Sequence, residues 1–414
     1  MYLTHLSLTD FRAITRLDED IPRRVVLLTG DNAQGKTSLL EAVYFLATFT
    51  SFLTHSDRQL INFDACKEPL AVARLVADYH RVDKDHHLEV RLVKSTGENN
   101  SGERFHKEIL LDGIKRTAND VIGHFNAVIF LPQMMNIIEG GPEERRHYIN
   151  LALSQAQPGY AQALSEYHQA LTQRNALLKQ LAERGGDSDQ LIYWDDVVAT
   201  RGAFIIQARI VAIQQLERQV RRLHQALTHS REVLRLVYQP AYDPIQPPAG
   251  QISLPIDVAV DRSRVSQDEI QKGFSRRLVE LRSAEIARGL TTIGPHRDEL
   301  RFISNSIDLG EFGSRGQART ALLALKLAEV AWLKHRTGDW PVLLLDEILA
   351  ELDHQRRTDL LGALAECEQG MLTTTDISLF DPAFIQNCVL WRVQEGSISH
   401  TMPGENSPAD KSAL

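Results

Sequence analysis

Apolar runs of strand length and long amphipathic stretches occupy different parts of this chain. Up to about residue 138, short apolar or alternating segments bounded by turn residues predict strands. Residues 1–30 are expected to hold two of them, at 2–9 and Val25–Thr29. Further segments predict an antiparallel sheet at 71–76, 87–93 and 107–114, a polar turn cluster at 95–102, and a buried strand at 127–131.

The pattern changes to long helical stretches between about 139 and 290. Residues 158–183 and 191–230 both carry apolar side chains at heptad spacing, and Gly185-Gly186 interrupts them. An antiparallel helix pair is therefore predicted. Each stretch holds only a few heptads, which indicates a short arm. A further helix is predicted over 266–288. The irregular loop before it contains Pro240, Pro244, Pro247 and Pro248.

After residue 290 the first pattern returns. A helix is predicted over 319–335, and the unbroken apolar run at 342–345 is typical of a central parallel strand. Residues 401–414 are small and polar, which predicts a disordered tail. Strands are also expected at 291–298 (with a turn), 371–375 and 389–393.

The first chemical motif lies between Val25–Thr29 and a helical stretch that begins at Ser38, and it fits the phosphate-binding loop G-x-x-x-x-G-K-[ST]. Its glycines let backbone N–H groups turn inward around an anion. Lys36 is expected to contact the outer phosphates of ATP, Thr37 to offer a hydroxyl to Mg²⁺, and the helix N-terminus to add its positive end. The predicted nucleotide-binding residues are Gly30, Asp31, Asn32, Ala33, Gln34, Gly35, Lys36, Thr37 and Ser38.

A second motif places two carboxylates, Asp346 and Glu347, directly after an apolar strand. Asp346 is predicted to hold Mg²⁺, directly or through water. Glu347 is predicted to orient and deprotonate the attacking water, as a catalytic base. Alone this pattern is weak, but together with the phosphate loop it predicts an ATPase site.

A third motif, Ser314-Arg315-Gly316-Gln317, opens the predicted helix at 319. Free backbone N–H groups there predict a second anion site, although a plain helix N-cap explains the same residues. One nucleotide does not need two such sites from one chain, so we expect two protomers to enclose ATP between them. Asp353 is expected to line the same interface.

Three further signals leave alternatives open. Gln133 is either a ligand of Mg²⁺ or water, or a solvated loop residue. Arg12 either reaches a bound nucleotide or lies in a solvated turn. Any single basic doublet is most often solvated, but several in or near the arm predict a groove that contacts DNA phosphates. These doublets are Arg145-Arg146, Arg221-Arg222, Arg276-Arg277 and Arg356-Arg357.

Composition narrows the class of protein. With 414 residues, 43% of them hydrophobic and 24% charged, the chain suits two or three globular domains. A net charge of -8 gives no global signal for nucleic acid, so DNA binding needs a local patch. The three dispersed cysteines predict reduced thiols without a zinc site. Neither a signal sequence nor an apolar run of roughly 20 residues is present, so a soluble cytoplasmic protein without membrane contact is expected.

The order of these motifs resembles the RecF family, which belongs with the structural-maintenance-of-chromosomes branch of ABC-type ATPases. The resemblance covers nearly the whole chain to about residue 400, and 314–317 looks like that family's signature motif. Other segments that carry it are Phe11-Arg12, Gly140-Gly141-Pro142, Arg145-Arg146, 173–179, 294–298, 351–353 and 373–376. Departures from the family's usual residues are Ile14, Gln133, Arg315 and Glu347, of which Gln133 and Glu347 match the wider ATPase superfamily.

The resemblance implies an α/β fold in which an ABC-type P-loop ATPase head, with mixed and antiparallel sheets, is interrupted by a mainly helical arm. The head is expected at 1–138 and 291–400, the arm at 139–290 and the tail at 401–414. The resemblance also implies weak DNA-stimulated ATP hydrolysis, an ATP-dependent homodimer, and binding of gapped or duplex DNA. Work with RecR and RecO in loading RecA is implied as well, in DNA repair, replication and the SOS response.

Two other functions fit part of the pattern. A transporter ATPase subunit is disfavoured because the helical insertion is long for an ordinary connection and no leucine opens the signature. A chromosome-organising protein needs arms of hundreds of heptad residues, and the stretch between Thr37 and Ser314 is too short for them. DNA-stimulated ATPase activity of the purified protein would separate the first reading from these two.

Overall fold

The computed structural model describes residues 1–54, 56–96, 103–245 and 260–401. Residues 97–102 of the turn predicted at 95–102, together with Pro247, Pro248 and the tail after Thr401, lie outside these residues. The strands are β1 (Tyr2–Phe11), β2 (Ile14–Asp20), β3 (Val25–Thr29), β4 (Leu70–Arg81), β5 (Lys84–Thr96), β6 (Glu103–Leu111), β7 (Ile114–Arg116), β8 (Ala127–Phe130), β9 (Leu234–Gln239), β10 (Glu299–Ser304), β11 (Ile307–Asp308), β12 (Val342–Asp346), β13 (Gly370–Thr374), β14 (Val389–Gln394) and β15 (Ser397–Thr401). The helices are α1 (Lys36–Thr48), α2 (Ala118–Val121), α3 (Asn136–Glu139), α4 (Pro142–Ala156), α5 (Tyr160–Arg184), α6 (Ile192–Leu227), α7 (Gln267–Arg288), α8 (Leu309–Phe312), α9 (Arg315–Thr337), α10 (His354–Ala365) and α11 (Pro382–Gln386).

Packing divides the chain into two units. One consists of Met1–Pro132 with Gly338–Leu414, and the other is Gln133–Thr337. The predicted α/β class, with mixed and antiparallel sheets and a mainly helical insertion, is confirmed. The predicted domains place residues 291–337 in the head, whereas packing groups these residues with the helices of the second unit. Within the second unit β10 pairs with β9 and α9 packs against α6, which explains why packing groups this segment with the helices.

The first unit contains the predicted antiparallel sheet, in the order β2-β1-β4-β5-β6-β7. The expectation of only two strands in residues 1–30 was wrong, because β2 lies between them. β2 forms an edge of this sheet, and Ile14 and Leu17 are its only buried positions. A polar edge strand of this kind lacks the apolar run that predicts a strand.

A second, mixed sheet has the order β15-β14-β3-β13-β12-β8. All its neighbouring pairs are parallel except β14 with β15. As predicted, β12 is a buried central strand, with parallel partners on both sides. The strands predicted near 371 and 389 are confirmed as β13 and β14. Because β3 and β12 are parallel and separated by β13 alone, their carboxyl ends meet at one edge of the sheet.

Helix α1, which follows the phosphate loop, is buried on nearly every side. It contacts β8 and β12 of the mixed sheet and also β1 and β4 of the antiparallel sheet. A helix that is apolar all round belongs in a core, and Leu39, Val43 and Leu46 are all buried. The loop therefore ends on a rigid support.

The second unit is built around α6, which contacts α5, α7, α9 and β9. The predicted antiparallel pair of α5 and α6 is confirmed, because their contacts run in opposite directions along the two helices. These contacts include the pairs Tyr160–Arg209, Glu166–Arg201 and Arg174–Asp195. The two helices also pack on α7 and α9, so they belong to a larger bundle. None of the helices in the described ranges has the length and apolar content of a membrane span.

The strand predicted at 291–298 was misplaced. Pro295–Arg297 is a 3₁₀ turn, and the strand β10 begins after it at Glu299. Pro295 has no N–H to donate to a ladder, and Asp298 is instead a buried acceptor for the Ala241 N–H at 2.9 Å. The partner strand β9 was not predicted, and neither was the edge strand β15.

A buried ionic cluster joins α5, α6 and α7. The Arg174 side chain is fully buried; its Nε donates to Asp195 at 2.7 Å, and its Nη1 lies 2.7 Å from Glu285. Nη1 also donates to the Thr291 hydroxyl, and the Thr291 backbone N–H donates to Asn175 Oδ1. Arg174 and Asn175 of the segment 173–179 therefore tie the helices to the chain at 291.

Replacing Arg174 with alanine is expected to lower the free energy of unfolding by about 3–5 kcal/mol, because two carboxylates stay buried after their partner is removed. Thermal and denaturant unfolding would measure the loss. Arg222→Ala, at an exposed position on α6, is the control and should change stability by no more than about 0.5 kcal/mol. Equal stability of the two variants would contradict the structural role of Arg174.

Candidate functional site

The loop between β3 and α1 has the strand-loop-helix context that its motif requires. Gly30 has a φ of 145°, and a Cβ at this position would lie 2.4 Å from the carbonyl oxygen of Val393 on β14. Gly35 is left-handed, with a φ of 104°, where α1 begins. Both glycines are therefore required by the backbone itself. Asp31, Asn32 and Ala33 are exposed, whereas Gly35 and Lys36 are buried.

The turn between β14 and β15 fixes the loop from one side. The Gly396 N–H donates to the Gln34 carbonyl at 2.9 Å, and the Glu395 N–H donates to Gln34 Oε1 at 2.8 Å. A Cβ on Gly396 would lie 2.7 Å from Ala13 O, so this close approach also needs glycine. Sequence reasoning missed the contact. Glu395-Gly396 between two alternating segments was the available hairpin signal.

The Lys36 ammonium is almost fully buried beside the loop. Its Nζ donates to Gly30 O at 2.6 Å and to Asp31 O at 3.0 Å, and it lies 3.4 Å from Glu347 Oε1. The structure therefore brings the lysine of the first motif together with the second carboxylate of the second motif.

Thr37, in the first turn of α1, contacts Asp346, the last residue of β12. Thr37 Oγ1 lies 3.1 Å from both carboxylate oxygens of Asp346. Asp346 pairs in register with Thr373 on β13, and Thr374 pairs with Thr29 at the end of β3. This register aligns the carboxyl ends of the three strands, which is where open α/β sheets bind ligands.

Burial controls the charge of Asp346. It raises the pKa of this carboxyl, whereas hydrogen bonds from Thr373 at 2.7 Å and from Thr37 oppose that rise. The nearby Glu347 carboxylate raises the pKa further. The charge of Lys36 opposes the rise as well. A hydroxyl beside a carboxylate is a suitable oxygen set for Mg²⁺, which prefers hard ligands. Thr37 and Asp346 therefore fit the predicted metal.

Glu347 adopts an uncommon backbone conformation, with a φ of 49°. Its N–H donates to Thr373 Oγ1 at 3.0 Å, and the same hydroxyl donates to Asp346. Thr373 therefore links the two acidic residues and was missed as a site residue. Its threonine-rich segment at 373–376 was visible in the sequence, but no role followed from it because the position of β13 between β3 and β12 depends on topology.

Arg12 differs from both of the alternatives that the sequence left open. Its Nε and Nη2 each donate to the buried Glu41 carboxylate of α1, at 2.8 Å. Its Nη1 donates to Gln59 O at 3.1 Å. Arg12 is therefore a partner of the helix that follows the phosphate loop.

Asp353 and the remaining predicted residues have clear local positions. Asp353 caps α10, where it accepts from the Arg356 N–H at 3.0 Å. In the other unit, Gln133 is exposed in a 3₁₀ turn at Pro132–Met135. Their predicted roles at the nucleotide remain predictions.

The third motif caps α9. The Ser314 N–H donates to Gln317 Oε1 at 3.1 Å, and the Gln317 N–H donates to Ser314 Oγ at 3.3 Å, a reciprocal arrangement as in a capping box. Arg315 and Gly316 are exposed in the first turn. The N-cap interpretation is therefore confirmed, and anion binding at this motif remains a prediction.

Known proteins resemble this chain over nearly its whole length. Residues 2–397 match the family described as RecF/RecN/SMC N terminal domain. A protein of Roseiflexus castenholzii named DNA replication and repair protein RecF is 38% identical, over 96% of this chain and 99% of its own length. A protein of the same name from Chloroflexus aurantiacus is 37% identical with the same coverage.

This chain belongs to the RecF family. Solved structures agree with the assignment. One, described as the recombination mediator protein RecF-ATPrS in the RecFOR pathway, has a TM-score of 0.80 at 28% identity and covers 97% of this chain and 98% of its own. Another, described as RecF-ATP in the same pathway, has a TM-score of 0.78 at 27% identity with the same coverage. The predicted family is thus confirmed, and with it the class of DNA replication and repair proteins.

In this RecF-family chain, Asp346→Asn is expected to raise the melting temperature of the nucleotide-free protein at pH 8. Folding raises the pKa of Asp346. Above that pKa the carboxyl is charged and opposes folding, whereas below it the carboxyl is protonated and has no such effect. The gain in melting temperature should therefore shrink as the pH falls through the raised pKa. Thermal unfolding from pH 4 to pH 8 measures it.

Asp353→Asn replaces an exposed carboxylate that caps a helix, and asparagine caps equally well, so it is the matched control. If Asp346→Asn lowers the melting temperature at pH 8, the buried carboxylate is a net stabiliser and our account of its electrostatics is wrong.

Proposed function

We propose that this chain is an ATP-dependent DNA-binding protein of recombinational repair, which hydrolyses ATP weakly and dimerises around it. The contact of Thr37 with Asp346 at 3.1 Å carries the proposal. This contact brings together the ends of two motifs that are far apart in sequence. Such proximity is what one ligand bound by both motifs would need. ATP in the description of a solved relative adds support.

Binding of the nucleotide rests on the phosphate loop. Lys36 is positioned to exchange its carbonyl partners, Gly30 O and Asp31 O, for phosphate oxygens without leaving the loop. Thr37 and Asp346 would hold Mg²⁺, and Gln133 is proposed as a further ligand. When bound, Mg²⁺ would neutralise charge on the phosphates. Ser38 and the backbone N–H groups of 31–35 complete the proposed contacts.

Hydrolysis rests on Glu347 as the general base. Its carboxylate is part exposed, and its backbone N–H is anchored to Thr373, which is itself hydrogen-bonded to Asp346. Thr373 thus orients the base relative to the metal ligand. Lys36, 3.4 Å away, holds the Glu347 side chain toward the loop. A base fixed at this position can take a proton from an attacking water.

Dimerisation rests on the third motif. The exposed start of α9, with Ser314, Arg315, Gly316 and Gln317, would contact the phosphates of a nucleotide bound to the other protomer. Asp353 would line the same interface. The phosphate loop alone can surround the phosphates of the nucleotide that its own protomer binds. The second motif is then available for the nucleotide of the other protomer, which supports the composite site.

DNA contacts are proposed for the basic doublets that have side chains available. Arg221-Arg222 and Arg276-Arg277 are exposed on α6 and α7. Arg145 and Arg357 are less suitable, because Arg145 pairs with Glu299 and Arg357 donates to the carbonyls of Leu349 and Leu352.

We further propose that the chain acts on gapped DNA with RecR and RecO to load RecA, in repair, replication and the SOS response. Family membership and the RecFOR pathway named for the solved relatives support this role.

Lys36→Ala should lower ATP affinity by about ten- to a hundredfold or more, because the outer phosphates lose a charged hydrogen-bond donor. Titration with a fluorescent ATP analogue measures the change. Lys84→Ala, an exposed lysine at the start of β5, is the control. Equal affinity for both variants would refute the assignment of the phosphate loop.

Glu347→Gln should keep ATP affinity and lower turnover by about a hundredfold or more, because the water loses its base. In ATP and gapped DNA this variant should accumulate as a dimer, which light scattering after size exclusion detects. Glu366→Gln, an exposed glutamate beyond α10, is the control for turnover. Normal turnover of Glu347→Gln would exclude the base, and a monomer at saturating ATP and DNA would exclude the composite site.

A further inference from the structure

A cavity of about 380 Å³ lies within the helical unit and contains none of the residues proposed to bind ATP. Its walls come from α4, α5, α6 and the turn at 295–297. Arg146 and Asn150 of α4, His168 of α5 and the buried Arg209 of α6 line it. The volume is large enough for a small charged group, and three of these four side chains are hydrogen-bond donors at any pH.

The buried acceptors around this cavity already have donors. Both carboxylate oxygens of the buried Asp298 are occupied, by Arg209 Nη1 at 2.6 Å, the Tyr238 hydroxyl and the Ala241 N–H. Pro295 O accepts from the same Arg209 nitrogen at 2.6 Å. His296 Nδ1 lies 2.7 Å from the Tyr167 hydroxyl, and burial lowers the pKa of His296 to about 4. A ligand that itself donates hydrogen bonds would find few partners here.

Donors, by contrast, are left over. Asn150 Oδ1 accepts from the Tyr160 hydroxyl at 2.8 Å and from Arg209 Nη2 at 2.9 Å. These two bonds fix the amide, so its NH₂ group is presented as a donor. Within the described part of the chain, the Arg146 side chain makes one hydrogen bond, from Nη1 to Asp298 O at 3.0 Å. Its Nε and Nη2 thus remain for a ligand.

The electrostatics favour a negative ligand. Burial, and then the charge of Arg209, lowers the pKa of Arg146. The same two causes, in the same order, lower the pKa of His168. Two guanidinium groups therefore share a poorly solvated space with one fully buried carboxylate, Asp298. Glu299 also acts on Arg146, but Arg145 is its partner. Glu143 opposes this charge only from an exposed position on the rim.

We propose that this cavity binds a phosphate group through Arg146 and Asn150, with Arg209 as the buried charge that orients Asn150. A tetrahedral oxyanion has several oxygens that accept at once, which matches a planar guanidinium edge next to an amide. The group belongs either to a nucleic-acid backbone or to a free phosphate compound, since both present the same oxygens. The site shares no residue with the proposed ATP site, so it would bind phosphate in addition to ATP.

Asn150→Asp is the sharpest test. Aspartate keeps the oxygen that accepts from Arg209 and Tyr160, so folding should be retained, but it replaces the NH₂ donor with a second acceptor. Full-length protein is saturated with a non-hydrolysable ATP analogue and titrated with inorganic phosphate. Histidine ring NMR signals of His147 and His168, both lining the cavity, report binding at this place. The variant should bind phosphate at least about tenfold more weakly.

Arg146→Lys provides a second variant, because it keeps the charge and loses the planar edge; it should also weaken binding. Arg184→Ala, an exposed arginine at the end of α5 outside the cavity, is the control and should bind as the parent protein does. Equal phosphate affinity in the parent and in Asn150→Asp, or no phosphate-dependent shift of either histidine, would overturn the proposal. Displacement of phosphate by a short DNA duplex identifies a backbone source, and displacement by AMP alone identifies a free phosphate compound.

Discussion

The contact between the Thr37 hydroxyl and the Asp346 carboxylate depends on the order of three parallel strands. β13 separates β3 from β12, and its Thr373 bonds to Asp346 and accepts from the Glu347 N–H. Insertion of another strand, or a shift in register by one residue, would separate the phosphate loop from its acidic partner. The apolar burial of β12 and of α1 therefore has a functional consequence, because it holds two distant motifs within 3.1 Å.

Supports for the phosphate loop come from both ends of the chain. The β14–β15 turn holds Gln34 through two N–H groups, and Arg12 on the β1–β2 turn pairs with the buried Glu41 of α1. A loop that must bind a highly charged ligand benefits from such fixation, because less ordering is then needed on binding. This chain thus holds its phosphate loop on a preorganised backbone.

Buried charge organises the helical unit in a different way. Arg174 and Arg209 are each fully or nearly fully buried, and each is matched by carboxylates and by neutral oxygens. Such pairs add little net stability compared with apolar packing, but they are costly to break. They therefore fix the relative positions of α5, α6, α7 and the turn at 295–297. The cluster around Arg209 also orients Asn150, because Arg209 donates to its side-chain oxygen. A network that stabilises the fold can in this way present hydrogen-bond donors to a cavity.

The sequence alone determined the elements whose signals are local. The phosphate loop, the antiparallel pair of α5 and α6, the buried strand β12 and the acidic residues after it all follow from patterns a few residues long. Polar edge strands such as β2 and β15 lack those patterns, and the strand near 291–298 was misplaced because Asp298 serves a buried network instead of a ladder. Tertiary structure alone decided that Thr373 joins Asp346 to Glu347, that Arg12 pairs with Glu41, and that Arg209 of α6 donates to Asn150 of α4. Each of these contacts joins residues far apart in sequence or on different elements, and strand order and helix packing, which no local pattern encodes, bring them together.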